Sequence, residues 1–347
     1  MTDKTMMHGA NIFKYAKEGD ILDFSSNINP LGPPAYVYDI IKENLKSIER
    51  YPDIEYRSLM ADISKAFGVD QNKIALGNGA IELIDRIIFE HERIIVFDPS
   101  FSEYEIRARV YGKEFLPVNL KSDFTLDFEL LEKFAFKKGD LIIITNPNNP
   151  NGRALRRDEF ERLIAIIKNS PAHLMLDQAF DDFADMDYRS MDYIGDDIYL
   201  IKAATKFYSL PGLRLGMAFS SEKNIKRLRS LVPSWSVGAL LENIGKIFMD
   251  QDFKEKSKAY IKKEREFLVD ELEKLILKTY ESDADFLLIN LGDRAEEDVF
   301  QEFLKRKILV RKCSSYRNLE GNFIRVAVKD HEKNAKLIQA FKEIING

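Results

Sequence analysis

Cysteine is almost absent from this sequence, in which Cys313 is the single one among 347 residues. An intrachain disulfide is therefore excluded, and so is a metal site built from several thiolates. The cysteine content gives no sign of an oxidising compartment. No metal site is predicted.

Positive charge is not in excess either. Lysine and arginine total 52 against 57 aspartate and glutamate residues, which gives a formal net charge of -5. Proteins that bind nucleic acid or anionic membranes usually carry a basic excess. The sequence therefore predicts neither partner, and any anion must be bound by a local cluster of cationic side chains.

Long apolar runs are also missing. No stretch approaches the roughly 20 apolar residues that a membrane helix requires. The first residues, MTDKTMMHGANIF, lack the apolar core of a signal peptide. We therefore expect a soluble, cytoplasmic protein.

The feature that is present is an alternation of short β-rich runs with amphipathic stretches, which extends to about residue 220. This pattern is typical of an α/β fold in which helices cross over a mostly parallel, doubly wound sheet. Ligands of such sheets bind beyond the carboxyl ends of the strands. The clearest runs are RIIVF (93–97), LIIIT (141–145), HLMLD (173–177) and IYLIK (198–202).

The chain divides into three predicted parts. Residues 1–35 are rich in Gly, Pro and Asn and read as an irregular arm that contributes to the small domain and the active site. Residues 36–253 form the large domain. Residues 254–347 begin with a long connecting helix and continue as a small α+β domain. Its predicted elements are a strand at 285–291, a helix at 295–307, strands at 308–312 and 323–328, and a terminal helix.

A lysine in the segment KAATKFYSLPGLRLG (202–216) follows a predicted strand. Lys206 is a candidate to form a Schiff base with an aldehyde cofactor, and Arg214 could make paired hydrogen bonds to the cofactor's phosphate. A lone lysine with an arginine eight residues away is more often a solvated basic loop. The neighbouring motifs change that balance.

The segment LGNGAIELIDRII (76–88) places two glycines before an amphipathic helix. The backbone amides at Gly79, Ala80 and Ile81 would then point at an anion from the positive end of the helix. Taken alone, this pattern is more often an ordinary loop with a helix cap.

Three further residues follow predicted strands. Asp177 could pair with a protonated pyridine nitrogen, although it could equally cap a helix or form a turn. Asn149, within TNPNNPNGR (145–153), could bind a phenolic oxygen, although such a cluster can merely form turns. Phe101 could stack on a pyridine ring, although most such phenylalanines belong to the core.

In this order, these motifs resemble the fold-type I pyridoxal 5'-phosphate enzymes. Within that fold the sequence is similar to the histidinol-phosphate aminotransferase group and, more closely, to the threonine-phosphate decarboxylases of cobalamin biosynthesis. The resemblance runs from His8 to about Val328. The segments that carry the closer similarity are HGAN (8–11), DFSSNINPLGPP (23–34), IERYPD (48–53), TKFYSLPGLRLG (205–216), PSWSVGAL (233–240) and ILVRKC (308–313).

The resemblance implies a role for each matching residue. Lys206 is the Schiff-base lysine, Asp177 the pyridinium partner, and Asn149 the contact of the cofactor's hydroxyl. Phe101 is the stacking ring. The phosphate ligands are Arg214, Thr205 and the amides from Gly79 to Ile81, together with Tyr51 of a second subunit, which implies a homodimer with shared active sites. Arg325 grips the substrate carboxylate, as a bidentate guanidinium is suited to do. His8, Asn29 and Arg311 face the phosphate of the substrate.

Four positions depart from the family pattern. Ala203 replaces a serine or threonine that would bind the cofactor phosphate, so cofactor affinity is expected to be lower. Gln178 replaces an acid. Asn151 and Ala10 replace a threonine and a glycine. Phe180 stands where the aminotransferases have tyrosine and favours the decarboxylase.

Three functional hypotheses follow. The first is decarboxylation of a small phosphorylated amino acid, L-threonine O-3-phosphate. The second is an aminotransferase of the histidinol-phosphate type, because the same residues can serve both reactions. The third is a protein that binds the cofactor without catalysis, which no basic stripe or DNA-binding segment supports.

Overall fold

The computed structural model describes residues 9–16, 19–319 and 321–346, without the side chain of Asn346. The first part of the chain contains β1 (Leu22–Asp23), α1 (Tyr36–Glu43) and α2 (Arg57–Phe67). The strands of the large sheet are β2 (Ile74–Asn78), β3 (Arg93–Asp98), β4 (Glu114–Asn119), β5 (Asp140–Thr145), β6 (His173–Asp177), β7 (Ile198–Ala203) and β8 (Leu215–Phe219). The helices between and after them are α3 (Ala80–Glu90), α4 (Glu103–Val110), α5 (Phe128–Lys133), α6 (Arg157–Lys168) and α7 (Glu222–Leu231).

The large sheet has the order β2-β8-β7-β6-β5-β3-β4. Strand β8 runs antiparallel to both of its neighbours, and the other pairs are parallel. The predicted α/β fold with a mostly parallel sheet is therefore confirmed. The predicted strand at 173–177 agrees with β6, and three others agree with β3, β5 and β7 to within one residue.

Both faces of this sheet are covered, which explains why its strands read as continuous apolar runs. In β3, Ile94 and Val96 pack with α3 in one cluster, whereas Ile95 and Phe97 belong to the cluster on the other face. Alternation along the strand thus supplies both cores. Burial on both sides fixes the register of the strands and the positions of the residues that follow them.

The rest of the chain packs on the carboxyl-edge side through a smaller sheet. Its order is β12-β13-β10-β9, and all of its pairs are antiparallel. Strand β1 pairs separately, in parallel, with β11. The elements are α8 (Gln251–Glu273), β9 (Lys278–Thr279), β10 (Phe286–Asn290), α9 (Glu296–Lys305), β11 (Ile308–Leu309), β12 (Arg311–Lys312), β13 (Phe323–Ala327) and α10 (His331–Asn346).

The single strand predicted at 308–312 is wrong in one respect. The structure breaks it at Val310, because β11 pairs with β1 while β12 pairs with β13. One run of apolar residues therefore serves two sheets. Of the helices that the structure describes, none combines the length and the apolar composition that crossing a bilayer requires.

Glycine is required where β8 passes the start of α3. A Cβ atom on Gly216 would lie 2.3 Å from the backbone nitrogen of Ala80 and 2.3 Å from the carbonyl carbon of Gly79. Real Cβ atoms do not approach backbone so closely, and neither strand nor helix can yield easily. By contrast, a Cβ atom on Gly212 would meet nothing within 4 Å.

We therefore expect Gly216→Ala to lower the free energy of unfolding by about 3 kcal/mol, the upper part of the range for overpacked sites. Gly212→Ala, four residues earlier in the chain, is the control and should change the free energy of unfolding by less than about 0.5 kcal/mol. Chemical denaturation of both variants measures the difference. Equal stabilities would show that β8 and α3 can separate without cost.

Candidate functional site

A cavity of about 280 Å³ lies at the carboxyl ends of the large sheet's parallel strands and extends to the smaller sheet. Residues 9, 10 and 25–27 contribute to its wall. The predicted site residues that line it are Ala80, Ile81, Phe101, Asn149, Asp177, Thr205, Lys206, Arg214, Arg311 and Arg325. Sequence positions up to 245 residues apart are thus brought to one place.

Lys206 lies in the loop after β7 and is buried against the cavity. Its Nζ atom lies 5.9 Å from the centre of the Phe180 ring. Burial lowers the pKa of Lys206 to about 8, and the positive charges of Arg325 and other cations act in the same direction while Asp285 opposes them. A larger fraction of the amine is therefore neutral near pH 8 than in a solvated lysine, as a nucleophile requires.

Asp177 lies at the end of β6. Its Oδ2 accepts a hydrogen bond of 2.7 Å from the Tyr104 hydroxyl, and its Oδ1 accepts one of 3.0 Å from the amide of Ala179. Burial raises the pKa of Asp177, while these two donors and the charge of Lys206 oppose the rise. The carboxylate is therefore fixed in orientation and suited to face a cationic N–H group.

Tyr104 is a site residue that the sequence reasoning missed. It is fully buried on α4, and its hydroxyl also lies 3.1 Å from Oγ1 of Thr145 at the end of β5. The signal was present in the motif FSEYE, where Tyr104 lies three residues after Phe101. Residues spaced by three share one face of a helix, so both rings could have been assigned to the cavity.

An anion cradle forms where α3 begins. Gly79 precedes the helix with φ 74°, and its amide donates a 2.7 Å hydrogen bond to the carbonyl of Arg214. The Arg214 guanidinium lies against Gly79, since a Cβ atom on that glycine would be 2.3 Å from Nη2. The free amides of the first helical turn and this guanidinium therefore face the same space, to which Thr205 also contributes.

These features fit pyridoxal 5'-phosphate. One cavity contains an amine with a lowered pKa, an oriented carboxylate and a cradle for a phosphate. The glycine at position 79 leaves room for Arg214 beside the helix. Ala203 lines the same cavity and contributes no hydroxyl, as the sequence indicated.

The smaller sheet presents two arginines to the cavity. Arg311 of β12 and Arg325 of β13 are directly paired across the strands, and both are about 95% buried, with 6% and 5% of their surface exposed. Arg311 donates to Oγ of Ser315. The cavity therefore holds two adjacent positive charges at the wall opposite the lysine loop.

Arg325 is held by Asn149 and Tyr316. Its Nη1 donates to Oδ1 of Asn149 and, at 3.0 Å, to the Tyr316 hydroxyl, while Nη2 donates to the carbonyl of Ser25 at 3.2 Å. The Tyr316 hydroxyl donates to the same Asn149 oxygen at 3.0 Å. Tyr316 was missed by the sequence reasoning, because no pattern relates it to a residue 167 positions away.

Three predicted residues that the structure describes, Gly79, Asn29 and Tyr51, are not among those lining the cavity, although Gly79 lies beside it against Arg214. Asn29 is buried elsewhere, and its amide nitrogen donates to the carbonyl of Phe207 and to Oγ of Ser257, both at 2.9 Å. Asn29 therefore links the lysine loop to α8, and its expected place beside a substrate phosphate stays a prediction. Tyr51 is 74% exposed and packs on Trp235, with ring centres 4.8 Å apart. His8 lies outside the described residues.

Comparisons with known proteins agree with this geometry. The chain is 35% identical, over 98% of its length and 94% of the relative, to a protein of Caldanaerobacter subterraneus subsp. tengcongensis that carries the provisional name threonine-phosphate decarboxylase. It is 30% identical to the threonine-phosphate decarboxylase of Salmonella typhimurium, over 98% and 97% of the two chains. The crystal structure of histidinol-phosphate aminotransferase from Clostridium acetobutylicum superposes with a TM-score of 0.87 and 31% identity, over 94% and 99%.

The model of the family described as aminotransferase class I and II matches residues 19–341. Enzymes of this family depend on pyridoxal 5'-phosphate, the cofactor that the cavity fits. The chain therefore belongs to the aminotransferase class I and II family and is an enzyme that uses this cofactor.

Proposed function

We propose that this enzyme decarboxylates L-threonine O-3-phosphate to (R)-1-amino-2-propanol O-2-phosphate, a reaction of cobalamin biosynthesis. The observation that carries the proposal is the pair of adjacent, buried arginines, Arg311 and Arg325, in the wall of the cofactor cavity. The names of the two decarboxylase relatives support the same reaction.

A phosphorylated amino acid has two anionic groups, and each arginine can bind one of them. Two buried guanidinium groups side by side in one cavity wall repel each other, so the cavity favours a substrate with two anions. We assign the carboxylate to Arg325 and the phosphate to Arg311. The Arg325 side chain is held by hydrogen bonds to Asn149, Tyr316 and the carbonyl of Ser25. These contacts fix the orientation in which its guanidinium would bind a carboxylate.

The other predicted residues bind and orient the cofactor in this proposal. Arg214, Thr205 and the amides of Ala80 and Ile81 bind its phosphate. Asp177 pairs with the ring nitrogen. When bound, pyridoxal phosphate supplies an electron sink next to the α carbon of the substrate.

Three residues would act at the reactive end of the cofactor. Phe101 covers the ring, and Asn149 contacts the hydroxyl. Lys206 holds the cofactor before the substrate arrives and then moves a proton at its Nζ atom.

The alternative reaction is transamination of the histidinol-phosphate type, which the similarity to the Clostridium acetobutylicum enzyme favours. The side chain that separates the two proposals is Phe180. It lines the cavity below Lys206 and is 5% exposed, but it contributes no hydroxyl to the site. We therefore place decarboxylation first.

A substrate panel tests the choice. The purified enzyme should release carbon dioxide from threonine phosphate without any keto acid. Unphosphorylated threonine should react much more slowly, because it lacks the phosphate that Arg311 would bind. The second assay supplies histidinol phosphate as amino donor and 2-oxoglutarate as keto-acid acceptor. Turnover that requires a keto acid, or threonine phosphate that yields no carbon dioxide, would favour the aminotransferase.

The same assay tests whether Lys206 is the lysine that forms the Schiff base. Lys206→Ala should abolish turnover and the adduct that borohydride traps on the protein. Lys223→Ala, at an exposed lysine of α7, should retain both. A trapped adduct that persists in Lys206→Ala would exclude this lysine.

Variants of the two arginines should separate their roles. Removing a charge-assisted hydrogen bond costs about 1.5–3 kcal/mol, so Arg325→Ala should raise KM roughly 10- to 150-fold for every α-carboxylate substrate. Arg311→Ala should weaken binding of threonine phosphate by a similar factor while leaving KM for threonine unchanged. Steady-state kinetics with both substrates measure this, and equal losses in both variants would contradict the assignment.

We propose a homodimer in which Tyr51 reaches the cofactor phosphate of the partner subunit. Apolar side chains lie exposed near this residue, as expected of a surface that another copy covers. They include Leu45 at 55%, Ile48 at 66%, Ile54 at 56% and Trp235 at 43%.

Light scattering should therefore give twice the chain mass of 40.2 kDa. Tyr51→Phe should weaken cofactor binding by at least roughly tenfold, because one hydrogen bond to a charged group, about 1.5 kcal/mol or more, is lost. Tyr15→Phe, which alters a ring that packs on Phe300, is the control. A monomer with full cofactor affinity would contradict the proposal.

Two further expectations stay proposals. One is the division into an arm (1–35), a large domain (36–253) and a small domain (254–347), which limited proteolysis would check. The other is a cytoplasmic location, in keeping with the single, buried Cys313, which cell fractionation would check.

A further inference from the structure

The carboxylate of Asp285 is buried beside the site without a hydrogen-bond partner. Asp285 immediately precedes β10, and its exposed fraction is 0%. Neither of its side-chain oxygens accepts a hydrogen bond from any residue that the structure describes. Only its backbone is paired, by a 2.7 Å hydrogen bond from the amide of Val328. An unpaired buried carboxylate costs free energy, so its presence calls for a reason.

The start of β10 lies near the lysine loop. The ring of Phe286, the residue after Asp285, packs on the ring of Phe180 with centres 5.1 Å apart, and Nζ of Lys206 lies 5.9 Å from the centre of the same Phe180 ring.

The charges that act most strongly on the Asp285 carboxylate are positive. Burial raises the pKa of Asp285 to about 6, and Lys206, Lys329 and Arg325 oppose that rise. Asp285 is therefore ionised above about pH 6. It also acts on Arg265, whose Nη1 donates to the carbonyl of Ala284 at 2.7 Å.

Among the three cations that oppose the rise in the pKa of Asp285, Lys206 is the one without a hydrogen bond to a described residue. Lys329 donates to the carbonyl of Ser26 at 2.8 Å. Arg325 is held by the three partners described above. The field of the Asp285 carboxylate can therefore alter the protonation of Lys206 more readily than that of the other two.

Other groups also face Lys206. Arg325 and Lys329 from the smaller sheet, and Arg214 from the turn before β8, disfavour a positive charge on its amine. Asp177 of β6 is a second anion, but it is already held by Tyr104 and Ala179. Asp285 is the unpaired negative charge that offsets the cations.

We propose that Asp285 is a positioning residue that keeps Lys206 protonated once the substrate has displaced it, so that Lys206 donates a proton to the α carbon. This inference rests on the decarboxylation proposed above. An aminotransferase requires the opposite first step, in which a neutral lysine removes a proton from that carbon.

The proposed step balances without another reactant. The bond between the α carbon and the carboxylate carbon breaks, its electron pair remains on the substrate, and carbon dioxide leaves. The N–H bond of Lys206 then breaks and a C–H bond forms on the α carbon. Lys206 ends neutral and ready to recapture the cofactor.

The test uses the holoenzyme of Asp285→Asn and needs no substrate. The absorption band of the bound cofactor shifts when the nitrogen that links it to Lys206 gains a proton. Loss of the carboxylate should lower the pH midpoint of this shift by about one unit, because an opposite charge nearby favours the protonated form. Asp140→Asn is the matched control. Asp140 is a buried carboxylate at the amino end of β5, paired with Arg93 at 2.6 Å, and its variant should leave the midpoint unchanged.

Thermal unfolding distinguishes this role from a structural one. Since the pKa of Asp285 is raised in the folded protein, its ionisation destabilises the fold above pH 6 and has no such effect below about pH 4. Asp285→Asn should therefore melt no lower than the parent at pH 8. Asp285→Val is a second uncharged variant and should shift the midpoint in the same direction.

An unchanged midpoint in a folded variant would overturn the inference, and so would failure of both variants to fold, since that would make the carboxylate structural. With threonine phosphate, Asp285→Asn should also divert a larger fraction of turnovers to amine transfer. If the parent releases no carbon dioxide, the proposed reaction fails. The midpoint shift would then still report separately whether Asp285 acts on Lys206.

Discussion

The site depends on the burial of one lysine amine at the carboxyl edge of a parallel sheet. Burial lowers the pKa of Lys206 to about 8 from a usual value of 10.5. Keeping the amine charged in the fold therefore costs about 3 kcal/mol below pH 8, and this cost disappears as the pH rises through 10.5. Attachment of the cofactor replaces the buried ammonium and can recover part of that energy.

The other charges of the cavity follow from the same constraint. The chain as a whole is acidic, yet Arg214, Arg311 and Arg325 converge on a small volume with few anions. Arg311 and Arg325 are buried, so their guanidinium groups act strongly on their neighbours and on any anion that enters. The cavity is thus prepared for phosphate and carboxylate groups, and it keeps Lys206 partly neutral until one of them arrives.

Residues that follow strands could be predicted from sequence, whereas residues that complete the site through distant contacts could not. Lys206 and Asp177 lie at or just after the ends of apolar runs, and the geometry of a parallel sheet brings such positions together. Arg325 lies on the smaller, antiparallel sheet, and its role was predicted only through the family resemblance. Tyr316 donates a hydrogen bond to Asn149, which lies 167 positions earlier in the sequence, and no local sequence pattern predicts that contact. The same limit explains the break in the strand predicted at 308–312, because each half pairs with a different distant strand.

The cofactor-binding residues therefore do not determine which of the two reactions occurs. It depends on which substrate bond is held perpendicular to the cofactor ring and on whether Lys206 then gives or takes a proton. In the proposed assignment, Arg325 and Arg311 decide the first, since the substrate carboxylate and phosphate each have one arginine to bind. The second depends on the balance between the cations around Lys206 and the unpaired carboxylate of Asp285. Because decarboxylation leaves the α carbon in need of a proton, a buried anion beside the lysine favours that outcome without touching the substrate.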